Sequence, residues 1–161
     1  MSYLPQRKQL RLKDYDYSQT GYYFITICVK DRQNILCDVG VAAHGDPQIP
    51  MTQTGKMVLH YLQNIGKVYE NIILDCYIIM PNHIHCIIAL QNDNGSPRAT
   101  TPTSLPVMIN SFKTITSKNY GQTLWQRNYY EHIIRNEIEL QRIRQYIINN
   151  PAKWQEDKYF I

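Results

Sequence analysis

Two apolar runs separated by only Pro81 and Asn82 place the strongest constraint on the fold of this chain. The runs span 71–80 (NIILDCYIIM) and 83–90 (HIHCIIAL), and both are rich in β-branched residues. A turn of this length cannot carry a crossover connection, so the runs are expected to pair as the antiparallel strands of a hairpin. The hairpin predicts that the fold is built on an antiparallel sheet.

Other periodic segments predict the elements that complete this sheet. Residues 22–29 (YYFITICV) are apolar on both faces, which is typical of a central strand. Apolar residues at three- and four-residue spacing predict helices beginning at Thr54 and after Ser104 and a last helix over 137–149, and residues 121–130 predict a short strand and bend. This order indicates an α+β fold in which helices pack on one side of the sheet.

Length and composition predict one domain over residues 1–161, of which residues 1–20 form a basic N-terminal arm. No apolar run approaches the roughly 20 residues of a membrane helix, and the N-terminus lacks a signal-peptide core. We therefore expect a cytoplasmic protein with no membrane partner. The four cysteines form no Cys-x-x-Cys pair, which favours reduced thiols. The net charge of +4 permits a nucleic-acid partner without requiring one.

Common nucleotide-binding and hydrolase motifs are absent from the sequence, but His83 and His85 offer a different kind of site. Alternation along a strand places both imidazoles on one face and Ile84 on the other. Two neutral imidazoles side by side can form half of a metal site. Taken alone, a pair of this kind is more often structural than metal-binding, so further groups must complete the site.

The last predicted helix provides groups that could complete such a site. Tyr146 and Asn150 are four residues apart and share one helical face, away from the apolar stripe formed by Leu140, Ile143 and Ile147. An amide oxygen and two imidazoles suit Mg²⁺ or Mn²⁺, with positions left for phosphate oxygens and water. Tyr146 is thereby distinguished from the other twelve tyrosines of the chain.

Three blocks carry a resemblance to a known family: 80–85 (MPNHIH), 125–136 (WQRNYYEHIIRN) and 146–151 (YIINNP). In this order and spacing they resemble the REP-associated tyrosine transposases, which belong with the single-tyrosine HUH transposases of the insertion-sequence 200/605 type. The resemblance runs from about Arg7 to Trp154 and implies a ferredoxin-like HUH domain.

The resemblance also implies a chemistry. His83 and His85 match the metal-binding histidines of the HUH motif, Tyr146 matches the nucleophile, and Asn150 matches the polar metal ligand. The implied reaction is Mg²⁺- or Mn²⁺-dependent cleavage of single-stranded DNA near a REP-like hairpin. Tyr146 would form a 5′-phosphotyrosine link and release a 3′-OH, and strand transfer would follow.

Basic residues before and on the last helix and in the N-terminal arm are candidates for a DNA path. The candidate DNA-binding residues are Arg7, Lys8, Arg11, Lys13, Arg127, His132, Arg135 and Arg142. Arg142 is as compatible with a solvated helix face, and His132 with a structural role. Tyr129 and Tyr130 are expected to pack or to contact DNA, and Trp125 to lie in the core.

Two other functions remain open at this point: a catalytically silent module that binds hairpin DNA, and a nickase of the relaxase or replication-initiator kind. The active unit is expected to be a monomer or a homodimer.

Overall fold

A four-stranded antiparallel sheet forms the centre of the protein in the computed structural model, which describes residues 12–38, 50–91 and 103–159. The strands are β1 (Gly21–Cys28), β2 (Ile72–Ile79), β3 (His83–Leu90) and β4 (Tyr130–Ile134). Their order across the sheet is β2-β3-β1-β4. The α+β prediction, the β2–β3 hairpin and the central position of β1 are confirmed.

The fourth strand begins later than the sequence predicts. Within residues 121–129, sheet pairing is limited to one isolated bridge, between Trp125 and Val29. Trp125 is buried in the core, as expected, and its Nε1 donates a hydrogen bond to Thr116 Oγ1 over 2.7 Å. The prediction of a short strand within 121–130 was wrong. This stretch turns away from the preceding helix at Gly121 (φ 90°) and places the indole ring of Trp125 in the core instead of pairing along the sheet.

Four α-helices accompany the sheet within the described residues: α1 (Gln53–Gln63), α2 (Ile65–Val68), α3 (Leu105–Tyr120) and α4 (Glu137–Asn149). Two short 3₁₀ helices cover Lys30–Arg32 and Pro151–Glu156. The Thr52 side chain accepts a hydrogen bond from the backbone of Gly55, so α1 begins one residue earlier than predicted. Gly55 is required there, since a Cβ would collide with the carbonyl oxygen of Leu36.

Helices cover both faces of the sheet, so the expectation of helices on one side was wrong. The physical reason is β3, which is buried along its whole length and needs cover on both faces. Ile84 and Ile88 belong to a large core shared with α1 and α3, whereas Ile87 belongs to a smaller core shared with α4. The smaller core also contains Leu140, Ile143 and Ile147, the stripe predicted from the sequence.

Two further expectations concern thiols and membranes. Cys28, Cys37, Cys76 and Cys86 are all free, as predicted, and burial raises the pKa of Cys37 and of Cys86 to about 12. Among the helices of the described ranges, none combines the length and apolar character that crossing a bilayer requires.

Candidate active site

Strand alternation brings the two histidine rings together on the face of β3 that α4 covers. His83 and His85 are both fully buried, and their Nε2 atoms lie 3.1 Å apart. Ile84, between them, points into the large core on the opposite face. The rigid strand therefore fixes the direction of both imidazoles.

Asn82 determines which nitrogen of His83 carries a proton. The Asn82 amide nitrogen donates to the carbonyl oxygens of Arg32 (3.3 Å) and Tyr159 (2.8 Å), which assigns the other amide atom as oxygen. This oxygen lies 2.8 Å from Nδ1 of His83, so Nδ1–H is the donor. The lone pair of neutral His83 is consequently on Nε2 and faces His85.

His85 is held in a similar way by the neighbouring strand. Its Nδ1 lies 2.8 Å from Oγ1 of Thr26, its register partner on β1. In the tautomer that a metal-bound His85 requires, Nδ1–H donates to Thr26 and the lone pair on Nε2 faces that of His83. Burial lowers the pKa of His83 to about 3 and that of His85 well below its usual value, so both rings are neutral at pH 7. Two facing lone pairs are stabilised by a cation between them.

Helix α4 brings Tyr146 to the histidines, and Asn150 follows as the C-cap residue of this helix. The Tyr146 hydroxyl lies 3.4 Å from Nε2 of His85, and the residue is 44% exposed. Burial raises the pKa of this hydroxyl, and the Asn150 amide opposes the shift. Asn150 is only 4% exposed, and its Oδ1 is buried with no hydrogen-bond partner among the described residues. A buried amide oxygen in this state is a candidate for a metal ligand.

These donor atoms fit a divalent ion such as Mg²⁺ or Mn²⁺. Adjacent ligands of an octahedral ion, each about 2.1 Å from it, lie about 3 Å apart, close to the separation of the two Nε2 atoms. Asp157, which the sequence analysis did not single out, adds a carboxylate, and the ligand atoms of His83, His85 and Asp157 all lie within 4.8 Å of one another. The cluster could therefore hold a metal with mixed nitrogen and oxygen ligands.

A cavity of about 460 Å³ opens beside Tyr146. Its cationic lining comes from Arg142, a predicted DNA-binding residue, and from Lys153 and Lys158, which the sequence analysis missed. Glu156 and Asp157 are the acidic residues of the lining, so the cavity is lined by three basic and two acidic side chains. The balance favours an anionic ligand next to the tyrosine.

The other predicted DNA-binding residues that the structure describes do not line this cavity. Nε2 of His132 is 2.7 Å from a carboxylate oxygen of Glu139, which joins β4 to α4. Arg127 lines a different cavity, beside α3, and Arg135 is exposed just before α4. Lys13 is exposed at the start of the described chain. Arg7, Lys8 and Arg11 lie outside the described residues, as does most of the basic arm.

The two tyrosines next to His132 occupy different places. Tyr129 is buried in the large core. Tyr130 is exposed on the α4 face, where the ammonium group of Lys158 lies 5.6 Å from the centre of its ring. Phe24 separates the sites of Tyr130 and Tyr146, with ring centres 6.1 Å from each. The Tyr146 hydroxyl is hydrogen-bonded to a histidine of the pair.

A family profile described as "Transposase IS200 like" matches residues 17–150, which include every strand and the pair on α4. The chain belongs to the IS200-like transposase family. An uncharacterized protein of Haemophilus influenzae is 33% identical to this transposase over 173 residues. The alignment covers 96% of this chain and 93% of that protein. A second protein of that organism, named as a REP-associated tyrosine transposase, is 27% identical, with 86% of this chain and 74% of the relative covered. The family resemblance predicted from the sequence is confirmed.

Among solved structures, the transposase resembles a REP-associated tyrosine transposase bound to a REP hairpin, with a TM-score of 0.63 and 20% identity. The match covers 92% of this chain and 76% of the other. It confirms the fold class that the resemblance implied.

Proposed function

We propose that this transposase cuts and rejoins single-stranded DNA beside a REP-like hairpin, with Tyr146 as the nucleophile. The observation that carries the proposal is the meeting of the Tyr146 hydroxyl with the His83–His85 pair, 3.4 Å from Nε2 of His85. Asn150, with its unpartnered Oδ1, lies one helical turn from the tyrosine. The relatives support the DNA partner, because one is named for REP association and one was solved on a REP hairpin.

The residues of the chain divide the reaction between them. The Tyr146 oxygen attacks the scissile phosphorus, the new oxygen–phosphorus bond replaces the bond to the 3′ oxygen, and the products are a 5′-phosphotyrosine and a 3′-OH. The hydroxyl proton passes to water, which reaches the half-exposed Tyr146, and the departing 3′ oxygen takes a proton from water to become the 3′-OH. A divalent ion at His83, His85 and Asn150 would supply charge stabilisation of the phosphate. Attack by a 3′-OH on the phosphotyrosine then restores a DNA bond.

The cavity beside Tyr146 supports a place for the DNA strand. Its volume of about 460 Å³ is in the range of small-ligand sites, and its cations can contact phosphates next to the scissile one. Arg142 is well placed for this, since its side chain is 77% exposed and its 3.8 Å ion pair with Glu139 is one that a DNA phosphate could replace.

The test is covalent trapping. The protein is incubated with Mg²⁺ or Mn²⁺ and a hairpin oligonucleotide labelled on the 3′ side of the cleavage site, and protein-linked label is measured after denaturation. We expect an adduct with wild-type protein and with Tyr130→Phe, the matched control on the same face, and none with Tyr146→Phe. An adduct formed equally by Tyr146→Phe would refute the assignment. Tight hairpin binding by the wild type without an adduct would identify a silent binding module instead.

A further inference from the structure

The chain folds back over the histidine pair after α4. We call residues 151–159 the C-terminal segment. The ring of Tyr159 lies 4.5 Å, centre to centre, from the ring of His83, and its carbonyl oxygen accepts the hydrogen bond from Asn82 described above. The ring of Trp154 lies 5.9 Å from His83. The C-terminal segment thereby covers the outer side of His83. It also brings the buried side chain of Asp157 to the histidine pair.

Asp157 is buried and its two oxygens have different surroundings. The side chain is 3% exposed. Oδ1 accepts a hydrogen bond from the backbone N–H of Tyr159 over 2.8 Å. Oδ2 lies 3.8 Å from Nε2 of His83, and no cationic side chain among the described residues is paired with it. Burying a carboxylate without a compensating charge is costly, so the position of Oδ2 calls for a cation.

A proton on His83 does not satisfy this oxygen. A hydrogen bond needs a nitrogen–oxygen separation near 2.9 Å, whereas the separation here is 3.8 Å. A metal ion shared with His83 would satisfy this oxygen. Two ligands about 2.1 Å from one octahedral ion lie about 3.0 Å apart when adjacent and about 4.2 Å apart when opposite. The 3.1 Å separation of the two Nε2 atoms matches adjacent ligands, and a shift of Oδ2 by about 0.8 Å would bring its 3.8 Å separation from Nε2 of His83 to the same adjacent-ligand spacing of about 3.0 Å.

We infer that Oδ2 of Asp157 is a ligand of the divalent ion held by His83 and His85. The C-terminal segment is then part of the metal site, which gains an anionic oxygen ligand in addition to the amide oxygen of Asn150. An anionic oxygen favours hard cations such as Mg²⁺ and Mn²⁺. This inference rests on the metal site of the proposed function, and it adds a residue from outside the 17–150 range matched by the family profile.

Binding of Mn²⁺ alone tests the inference without DNA or activity. Metal-free protein is titrated with Mn²⁺, and free Mn²⁺ is followed by electron paramagnetic resonance. We expect Asp157→Asn to weaken binding at least about tenfold. The asparagine keeps an oxygen to accept the N–H of Tyr159, so the segment can stay docked. Glu156→Gln, which removes the neighbouring acidic charge in the same cavity, is the matched control and should bind as the wild type does.

A second variant separates ligation from a structural role. Asp157→Cys places a thiolate where the carboxylate was, and Co²⁺ should then give a thiolate-to-metal charge-transfer band that wild-type protein, with its four native thiols, does not give. A segment that served only as cover would give no such band.

The outcomes distinguish this inference from the proposed function. If Asp157→Asn binds Mn²⁺ as tightly as the wild type, Asp157→Cys gives no band, and His83→Ala abolishes binding, the role of Asp157 is overturned while the histidine site stands. If His83→Ala also leaves Mn²⁺ binding unchanged, the metal site itself is overturned together with Asp157.

Discussion

Arg144 on α4 and Asp75 on β2 form a two-bond ion pair, in which Nε donates to Oδ2 over 2.9 Å and Nη2 donates to Oδ1 over 2.5 Å. Asp75 lies at the bulge where the β2–β3 register shifts between Leu74 and Cys76. The pair therefore ties the helix that carries Tyr146 to an irregular point of the sheet. Both side chains are more than two-thirds buried, which limits screening by solvent.

Removing this pair should loosen α4. We expect Arg144→Gln to lower the free energy of unfolding by about 1–2 kcal/mol, because charge-assisted hydrogen bonds to a shielded carboxylate are lost. Urea unfolding followed by circular dichroism measures the change. Arg142 lies on the same helix, but its side chain is 77% exposed. Arg142→Gln should therefore keep the free energy of unfolding within about 0.5 kcal/mol of the wild-type value. Equal effects of the two variants would contradict the anchoring role.

Adjacent isoleucines on α4 give a second matched comparison. Ile147 is fully buried in the smaller core, whereas Ile148 is exposed. We expect Ile147→Ala to lower the free energy of unfolding by about 2–5 kcal/mol through lost burial and a cavity, and Ile148→Ala to change it by less than about 0.5 kcal/mol. Thermal or urea unfolding distinguishes them. A small effect at Ile147 would mean that α4 does not depend on this core.

Asn82 should influence metal affinity through His83. Without its amide oxygen, Nδ1–H of His83 loses the acceptor that keeps the Nε2 lone pair directed at the site. We expect Asn82→Ala to weaken Mn²⁺ binding about 10- to 100-fold. Asn71→Ala is the control: it also removes a buried asparagine, one bonded to the carbonyl oxygen of Thr103, and should lower stability without changing metal affinity. Calorimetric titration measures both variants, and equal affinities would refute the positioning role.

The neutral histidines predict how the stability of the metal-free protein depends on pH. Burial lowers the pKa of His83 to about 3 and that of His85 well below its usual value, whereas both titrate near 6.5 in the unfolded chain. Below pH 6.5 the unfolded state binds more protons than the folded state. Stability is therefore complete above pH 6.5 and falls as the pH drops towards 3, by up to about 1.4 kcal/mol per pH unit for each histidine.

Urea unfolding at pH 7.5, 6 and 5 measures this dependence. The double variant His83→Gln/His85→Gln should have a shallower slope, because glutamine does not titrate. Identical slopes in the two proteins would show that the histidines are not held neutral.

Tyr146 meets the histidines of its own chain, so cleavage is expected in cis. Mixing Tyr146→Phe protein with His83→Ala protein should give no covalent adduct on the hairpin oligonucleotide, since neither chain has a complete site. Adduct at a substantial fraction of the wild-type level would instead require exchange of α4 between two chains.

Much of the site followed from two simple periods in the sequence. Strand alternation placed His83 and His85 on one face, and helical spacing placed Tyr146 and Asn150 on another. The structure brings the Tyr146 hydroxyl to the histidine pair, and Asn150 lines the same cavity as Tyr146. Each of these inferences needs only the local geometry of one regular element.

The residues that sequence reasoning missed depend on contacts between elements. Asn82 was interpreted as a turn residue, because its bonds to Arg32 and Tyr159 join segments far apart in the chain. Thr26 is opposite His85 only through the β1–β3 register. Asp157 lies just past a short 3₁₀ helix with no apolar period to orient it. The one signal in the sequence was its closeness to the 146–151 block.

The separation of the two cores has a consequence for how the enzyme is made. All four strands and the large core are complete by Ile134, before the first residue of α4. The sheet with its histidine pair thus precedes Tyr146 and Asp157 in the chain, and α4 adds its own smaller core on the other face. Docking of the last helix is therefore the step that brings the Tyr146 hydroxyl to the histidine pair.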